Sequence, residues 1–146
     1  MLGGNSTYMS EYAYKQLVRD FLDGFLAEFP DCRITLTGLI TLGRDGTGHN
    51  YGIRFKWWEK MEFIFNLDKW YLDISQEPAY RGKVELLSIL GQFDSDYSLQ
   101  MQDLPVNVRS SIIKTINTNA FHASPEGYLQ MADAYYRRVV SHLQGD

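Results

Sequence analysis

The stretch CRITLTGLITLGRDGTGHNYGIRFKWWEKMEFIFNLDKWYLDIS, residues 32–75, decides how this chain is read. Apolar residues share one parity in four runs: Ile34, Leu36, Ile40 and Leu42, then Tyr51, Ile53, Phe55 and Trp57, then Phe63, Phe65 and Leu67, then Trp70, Leu72 and Ile74. Side chains of a strand point alternately to its two faces, so this pattern predicts four consecutive strands, each burying one face. The other parity carries Arg33, Thr35, Thr37, Arg54, Lys56, Trp58, Tyr71 and Asp73. The stretch Gly43–Asn50 joins the first two runs, with three glycines to supply the positive φ angles of a hairpin loop. Short joints at Glu59–Lys60 and Asp68–Lys69 make the neighbours antiparallel, because a parallel pair needs a long crossover. Gly38 inside the first run predicts a bulge or a close backbone approach.

Helices are expected on either side. Ser10 is a good N-cap for a first helix that ends before Pro30, with Leu17, Val18, Phe21, Leu22, Phe25, Leu26 and Phe29 as its apolar stripe. Gly24 within it marks a close packing point. After Pro78 the period changes, and Val84 to Phe93 reads as a helix of about three turns. Residues 94–105 are polar, with Leu99 and Met101 as anchors or a short fifth strand. Val108, Ile112, Ile113 and Ile116 describe another helix, capped by Asn107. Ser124 followed by Pro125 starts a last helix, lined by Leu129, Ala132, Tyr136, Val139, Val140 and Leu143.

The expected class is α+β: an N-terminal helix, a four-stranded antiparallel β-meander, then three C-terminal helices packed mainly on one sheet face. Helices on both faces would bury Arg54 and Lys56 unpaired, which costs too much. Residues 1–9 read as a flexible N-terminus and residues 10–146 as a single α+β domain.

A chain of 146 residues buries roughly 70% of its unfolded surface and needs no metal or disulfide to fold. The net charge of −4 argues against a protein that holds DNA by neutralising phosphates. Cys32 is the single cysteine, which rules out an intramolecular disulfide and a cysteine-based zinc site within one chain. As a thiol at a strand start it is expected to be a small buried hydrophobe. No apolar run is long enough to span a bilayer and no secretory apolar region opens the sequence, so the expectation is a cytoplasmic protein without membrane contact.

The chemistry-bearing patterns are sparse. The glycine loop lacks the Lys-Ser/Thr ending of a phosphate loop and leads into no helix. Asp94, Asp96 and Ser98 fit the first positions of a calcium loop, but Leu99 stands where glycine is needed and Pro105 where glutamate is needed. His49, His122 and His142 form no pair at ligand spacing. Glu59, Glu62, Asp68 and Asp73 read as surface carboxylates of hairpins. On these grounds the chain is expected not to be an enzyme and to use no cofactor or metal.

The row Arg54, Lys56 and Trp58, joined by Tyr71 and by Arg44 at the loop tip, is the expected partner-binding surface. The leading expectation is a small soluble protein-binding module that inhibits or adapts another protein by occlusion. Its profile is that of immunity proteins, phage anti-defence proteins and secretion chaperones. A binder of single-stranded nucleic acid or nucleotides through the same face is the alternative, disfavoured by the acidic balance. An enzyme with a site assembled from dispersed residues is the third. A homodimer through an open sheet edge is compatible with all three.

Overall fold

The computed structural model describes residues 9–41, 57–94 and 96–145. Among them lie three helices and four strands, in the order α1 (Glu11–Glu28), β1 (Ile34–Thr37), α2 (Trp57–Ser75), β2 (Val84–Leu87), β3 (Leu99–Pro105), β4 (Ile113–Ala123) and α3 (Pro125–Gln144). β1 pairs with β2 in parallel, and β3 pairs with β4 antiparallel. The four-stranded meander and the three C-terminal helices are therefore corrected. The expected strand Tyr51–Trp57 lies almost wholly outside the described residues.

The chain divides into two compact units, Met1–Leu39 with Glu62–Ile89, and Ile40–Met61 with Leu90–Asp146. The first holds residues 62–75 of α2, one helix where alternation predicted two strands. The apolar residues of this segment satisfy both periods, since Phe63, Ile64, Leu67, Trp70, Tyr71 and Ile74 also make a broad helical face, and all six are buried. The length settles it. Nineteen residues run without glycine or proline, too long for one strand and without a turn to make two. A helix here supplies the crossover that a parallel pair requires, so β1 and β2 lie side by side with Ile34 opposite Val84 and Thr37 opposite Leu87. β2 replaces the helix expected from Val84. Gly82 and Gly91 bracket that apolar run and leave it too short for helical turns to be stable.

α1 begins as expected. The Ser10 hydroxyl accepts from the Ala13 N–H at 3.3 Å, and Glu11 sits in the first turn. Its buried face is Tyr14, Val18 and Leu22 rather than the phenylalanine stripe. Apolar residues cover more than one side of this helix, and only one side is enclosed. Phe21, Phe25 and Phe29 are exposed; Phe21 stacks on Phe25 with centroids 5.9 Å apart, and Phe25 meets Phe29 tilted at 4.9 Å. Tyr14 holds α1 to α2: its ring meets Trp70 at 5.7 Å, Tyr71 at 6.1 Å and Phe63 edge-on at 6.4 Å. Its hydroxyl shares a buried 2.7 Å hydrogen bond with that of Tyr71. At the rim, Lys15 reaches both Glu11 and Asp73 at 2.8 Å, Arg19 grips Glu77 with two nitrogens, and the Tyr80 hydroxyl donates to Asp23 at 2.7 Å.

In the second unit β3 and β4 form a hairpin closed by the Val106 N–H donating to the Ile112 carbonyl at 3.0 Å. Asn107, expected to cap a helix, instead accepts from the Arg109 N–H within this turn. The β-branched run Ile113, Thr115, Ile116 and Thr118 favours the strand that forms. α3 starts where expected, with the Ser124 hydroxyl accepting from the Gly127 N–H at 3.2 Å and Pro125 in the first turn. It ends on Gly145, whose φ of 83° is the left-handed cap. The face expected to be core is not enclosed: Leu129, Tyr136, Val139 and Leu143 are exposed. The buried face carries Gly127 and Ala134, because small residues let the helix lie close to the backbone below it. A Cβ at Gly127 would stand 2.2 Å from the Ser98 carbonyl oxygen, the atom that accepts from the Ser124 N–H at 2.8 Å.

Three glycine and cap substitutions separate these effects in urea unfolding. Ser124→Ala is expected to cost about 1 kcal/mol through the lost cap. Gly127→Ala is expected to cost more than about 1 kcal/mol, because a backbone carbonyl must yield. Gly24→Ala, in a helix position with nothing within 4 Å, is expected to gain up to about 1 kcal/mol. A stabilising Gly127→Ala would contradict the close approach of α3.

Candidate functional site

Two parallel strands end side by side at Thr37 and Leu87, and the Gly38 N–H donates to the Leu87 carbonyl at 3.2 Å just beyond them. The carboxyl ends of parallel strands are where α/β proteins place ligands. Asp68 of α2 reaches this point from the helix face that also carries Ile64 and Tyr71, and only 9% of it is exposed. The Ser88 hydroxyl donates to Asp68 Oδ2 in a short contact. Asp68 Oδ1 is buried and has no hydrogen-bond partner. A Cβ on Gly38 would lie 1.8 Å from that oxygen, so no other residue fits there without moving the carboxylate. The close approach expected at Gly38 is thus present, made by a side chain rather than by backbone.

Burial pushes the Asp68 carboxyl above the ordinary carboxylate value, and the Ser88 hydroxyl opposes that in part. The neighbouring Tyr71 phenol is raised by burial, with the Asp68 charge adding to the shift. The result is a carboxylate with heightened proton affinity, in contact with a serine hydroxyl.

In the second unit His122 sits near the end of β4 with its side chain exposed, and its backbone N–H donates to Asn119 Oδ1 at 3.1 Å. Asn117 on the same strand is buried, with its amide nitrogen on the Gln100 carbonyl at 3.1 Å and its amide oxygen without a partner. His142 lies in the last turn of α3. Asp94 Oδ1 accepts from the Asp96 and Tyr97 N–H groups at 2.9 Å and 3.1 Å, so that carboxylate closes a turn. Among the described residues no three His, Cys, Asp or Glu side chains gather as metal ligands.

Of the residues expected to bind a partner, Arg44, Arg54 and Lys56 lie outside the described residues. Trp58 belongs to α2, and its side chain is outside them too. Tyr71 stands on a helix, not on an open sheet face. It is 4% exposed and spends its hydroxyl on Tyr14. Cys32, expected to be buried, is exposed. Asp68, expected on a hairpin surface, is buried. Its signal was in the sequence all along: at helical spacing from Ile64 and Tyr71, a carboxylate interrupts an apolar face. Ser88 gave no such signal, because its role depends on β2 ending where it does.

A family model for GDSL-like lipases/acylhydrolases matches residues 1–135. No curated protein and no solved structure matches the chain. The family match overturns the expectation of a protein-binding inhibitor or adaptor of immunity or anti-defence type, and with it the expectation that the chain is not an enzyme. The absence of a compact catalytic motif was the ground for expecting no enzyme, and acyl transfer can use residues far apart in sequence; the binding expectation rested on the cationic and aromatic row and on the chain's profile. Among the described residues no helix is long and apolar enough to cross a membrane.

The buried carboxylate carries a pH signature. Above the ordinary value of 3.8, the folded chain keeps a proton on Asp68 that the unfolded chain has lost. The stability tied to that proton is complete below 3.8 and is lost as pH rises through the higher folded value. Asp68→Asn removes this loss. Urea unfolding of both proteins between about pH 4 and pH 8 is expected to show the difference shifting toward the Asn variant as pH rises. A difference independent of pH would mean that Asp68 is not desolvated.

Proposed function

The chain belongs to the GDSL-like lipase/acylhydrolase family, and on that premise we propose that it transfers the acyl group of a carboxylic ester to water. The observation that carries this reading is the match over residues 1–135, which takes in the first unit and most of the second. Acyl transfer to water needs a nucleophile, a group that takes and returns its proton, and dipoles aimed at the developing oxyanion. Read in one-letter code, the letters of the family name do not occur as a run in this sequence. The reacting groups therefore have to be sought in the geometry. The parallel strand pair with a crossover helix supports the reading, since it presents a hydroxyl and a carboxylate in contact at its carboxyl end.

The purified chain is expected to release p-nitrophenol from p-nitrophenyl acetate and butyrate with saturable kinetics, and to lose that activity after treatment with a serine-directed sulfonyl fluoride. Release no faster than in buffer across a range of acyl lengths would overturn the reading.

A further inference from the structure

Independently of the acyl-hydrolase reading, we propose that α3 is a homodimer interface, its outward face docking antiparallel on α3 of a second copy of this chain.

The spacing on this helix carries it. Leu129, Ala132, Tyr136, Val139 and Leu143 recur at alternating steps of three and four, the repeat of a seam between two helices. All five are exposed, Leu129 at 67%, Tyr136 at 70% and Leu143 at 82%. The opposite side of the helix carries Gly127, Ala134 and Ser141, seven residues apart. Gly127 and Ala134 are buried, and Gly127 lies against Ser98 and Phe93. The small residues thus face their own unit, and the seam points away from it. A helix that served its own unit alone would turn its larger apolar side to the core.

The area is of the right size. With Tyr128 and Tyr135 beside the seam, the exposed apolar side chains offer on the order of 700 Å² per copy, where a standard interface takes about 800 Å² from each partner.

Charge selects the occupant and its direction. The charged residues of α3 are Glu126 and Asp133 in its first half and Arg137 and Arg138 in its second, with His142 in the last turn. An antiparallel copy sets each acidic half against a basic half and opposes the two helix dipoles. A parallel copy would set like charges together. The face of α3 is therefore complementary to itself, as a two-fold contact requires. α1 also exposes apolar residues, but Phe21, Phe25 and Phe29 recur at steps of four alone and drift around the helix instead of forming a seam.

Light scattering and sedimentation of the full chain at micromolar concentration are expected to give twice the 16.9 kDa monomer mass. Tyr136→Glu is expected to weaken the dimer at least about thirty-fold while leaving far-UV circular dichroism unchanged. Phe29→Glu, on α1, is expected to leave the dimer intact. In a Cys32→Ser background, Leu143→Cys is expected not to link to itself on oxidation, since an antiparallel pair holds the two positions at opposite ends. Monomers at every concentration, or a dimer that survives Tyr136→Glu unchanged, would overturn the proposal. So would ready self-linking of Leu143→Cys, the mark of a parallel pair.

Discussion

A carboxylate withdrawn from water needs a reason and a partner, and the first unit is arranged around one. Placing Asp68 beneath the strand ends costs about several kcal/mol if it is ionised and unpaired. The Ser88 hydroxyl offsets part of that, and Gly38 leaves the space in which the second oxygen fits. Three residues distant in sequence are thereby tied together: the exit of β1, the middle of α2 and the exit of β2. This sets where the crossover helix lies along the parallel pair. It also leaves a hydroxyl and a carboxylate in contact at the carboxyl end of the strand pair.

The rest of that unit serves to hold α2 in place. Tyr14 reaches across from α1 into Phe63, Trp70 and Tyr71, and aromatic contacts of this kind add about 0.5–1.5 kcal/mol each beyond area burial. The hydroxyl pair of Tyr14 and Tyr71 satisfies two phenols that would otherwise be buried without partners. The ion pairs at the rim contribute less, since exposed pairs are typically worth under about 1 kcal/mol. They fix direction more than they add strength.

The second unit follows a different rule. A hairpin and a helix meet through their smallest residues, with Gly127 set against backbone. The larger apolar side chains of α3 are left outside. Enclosure is decided by how near two backbones can come, not by which face has the most carbon.

Local chemistry determined the helix ends. Ser10, Ser124 and Pro125 act within a few residues of themselves, so their consequences are written in the sequence, whereas the run that became β4 also carried a helical spacing and was decided by its pairing with β3. The acidic balance and the lone cysteine likewise belong to the sequence alone, though neither excluded an enzyme. Residues 57–75 were open to two periods; nineteen residues without glycine or proline made them a helix, and that helix supplies the crossover between the parallel strands. The same choice placed Asp68 inside and buried Tyr71. A side chain's surroundings are set by the partner element that arrives, and no spacing within Val84–Leu87 says that a helix carboxylate will meet the residue that follows it. The Asp68–Ser88 contact is therefore a product of tertiary structure, because it exists only once two strand ends and a helix have been brought to one place.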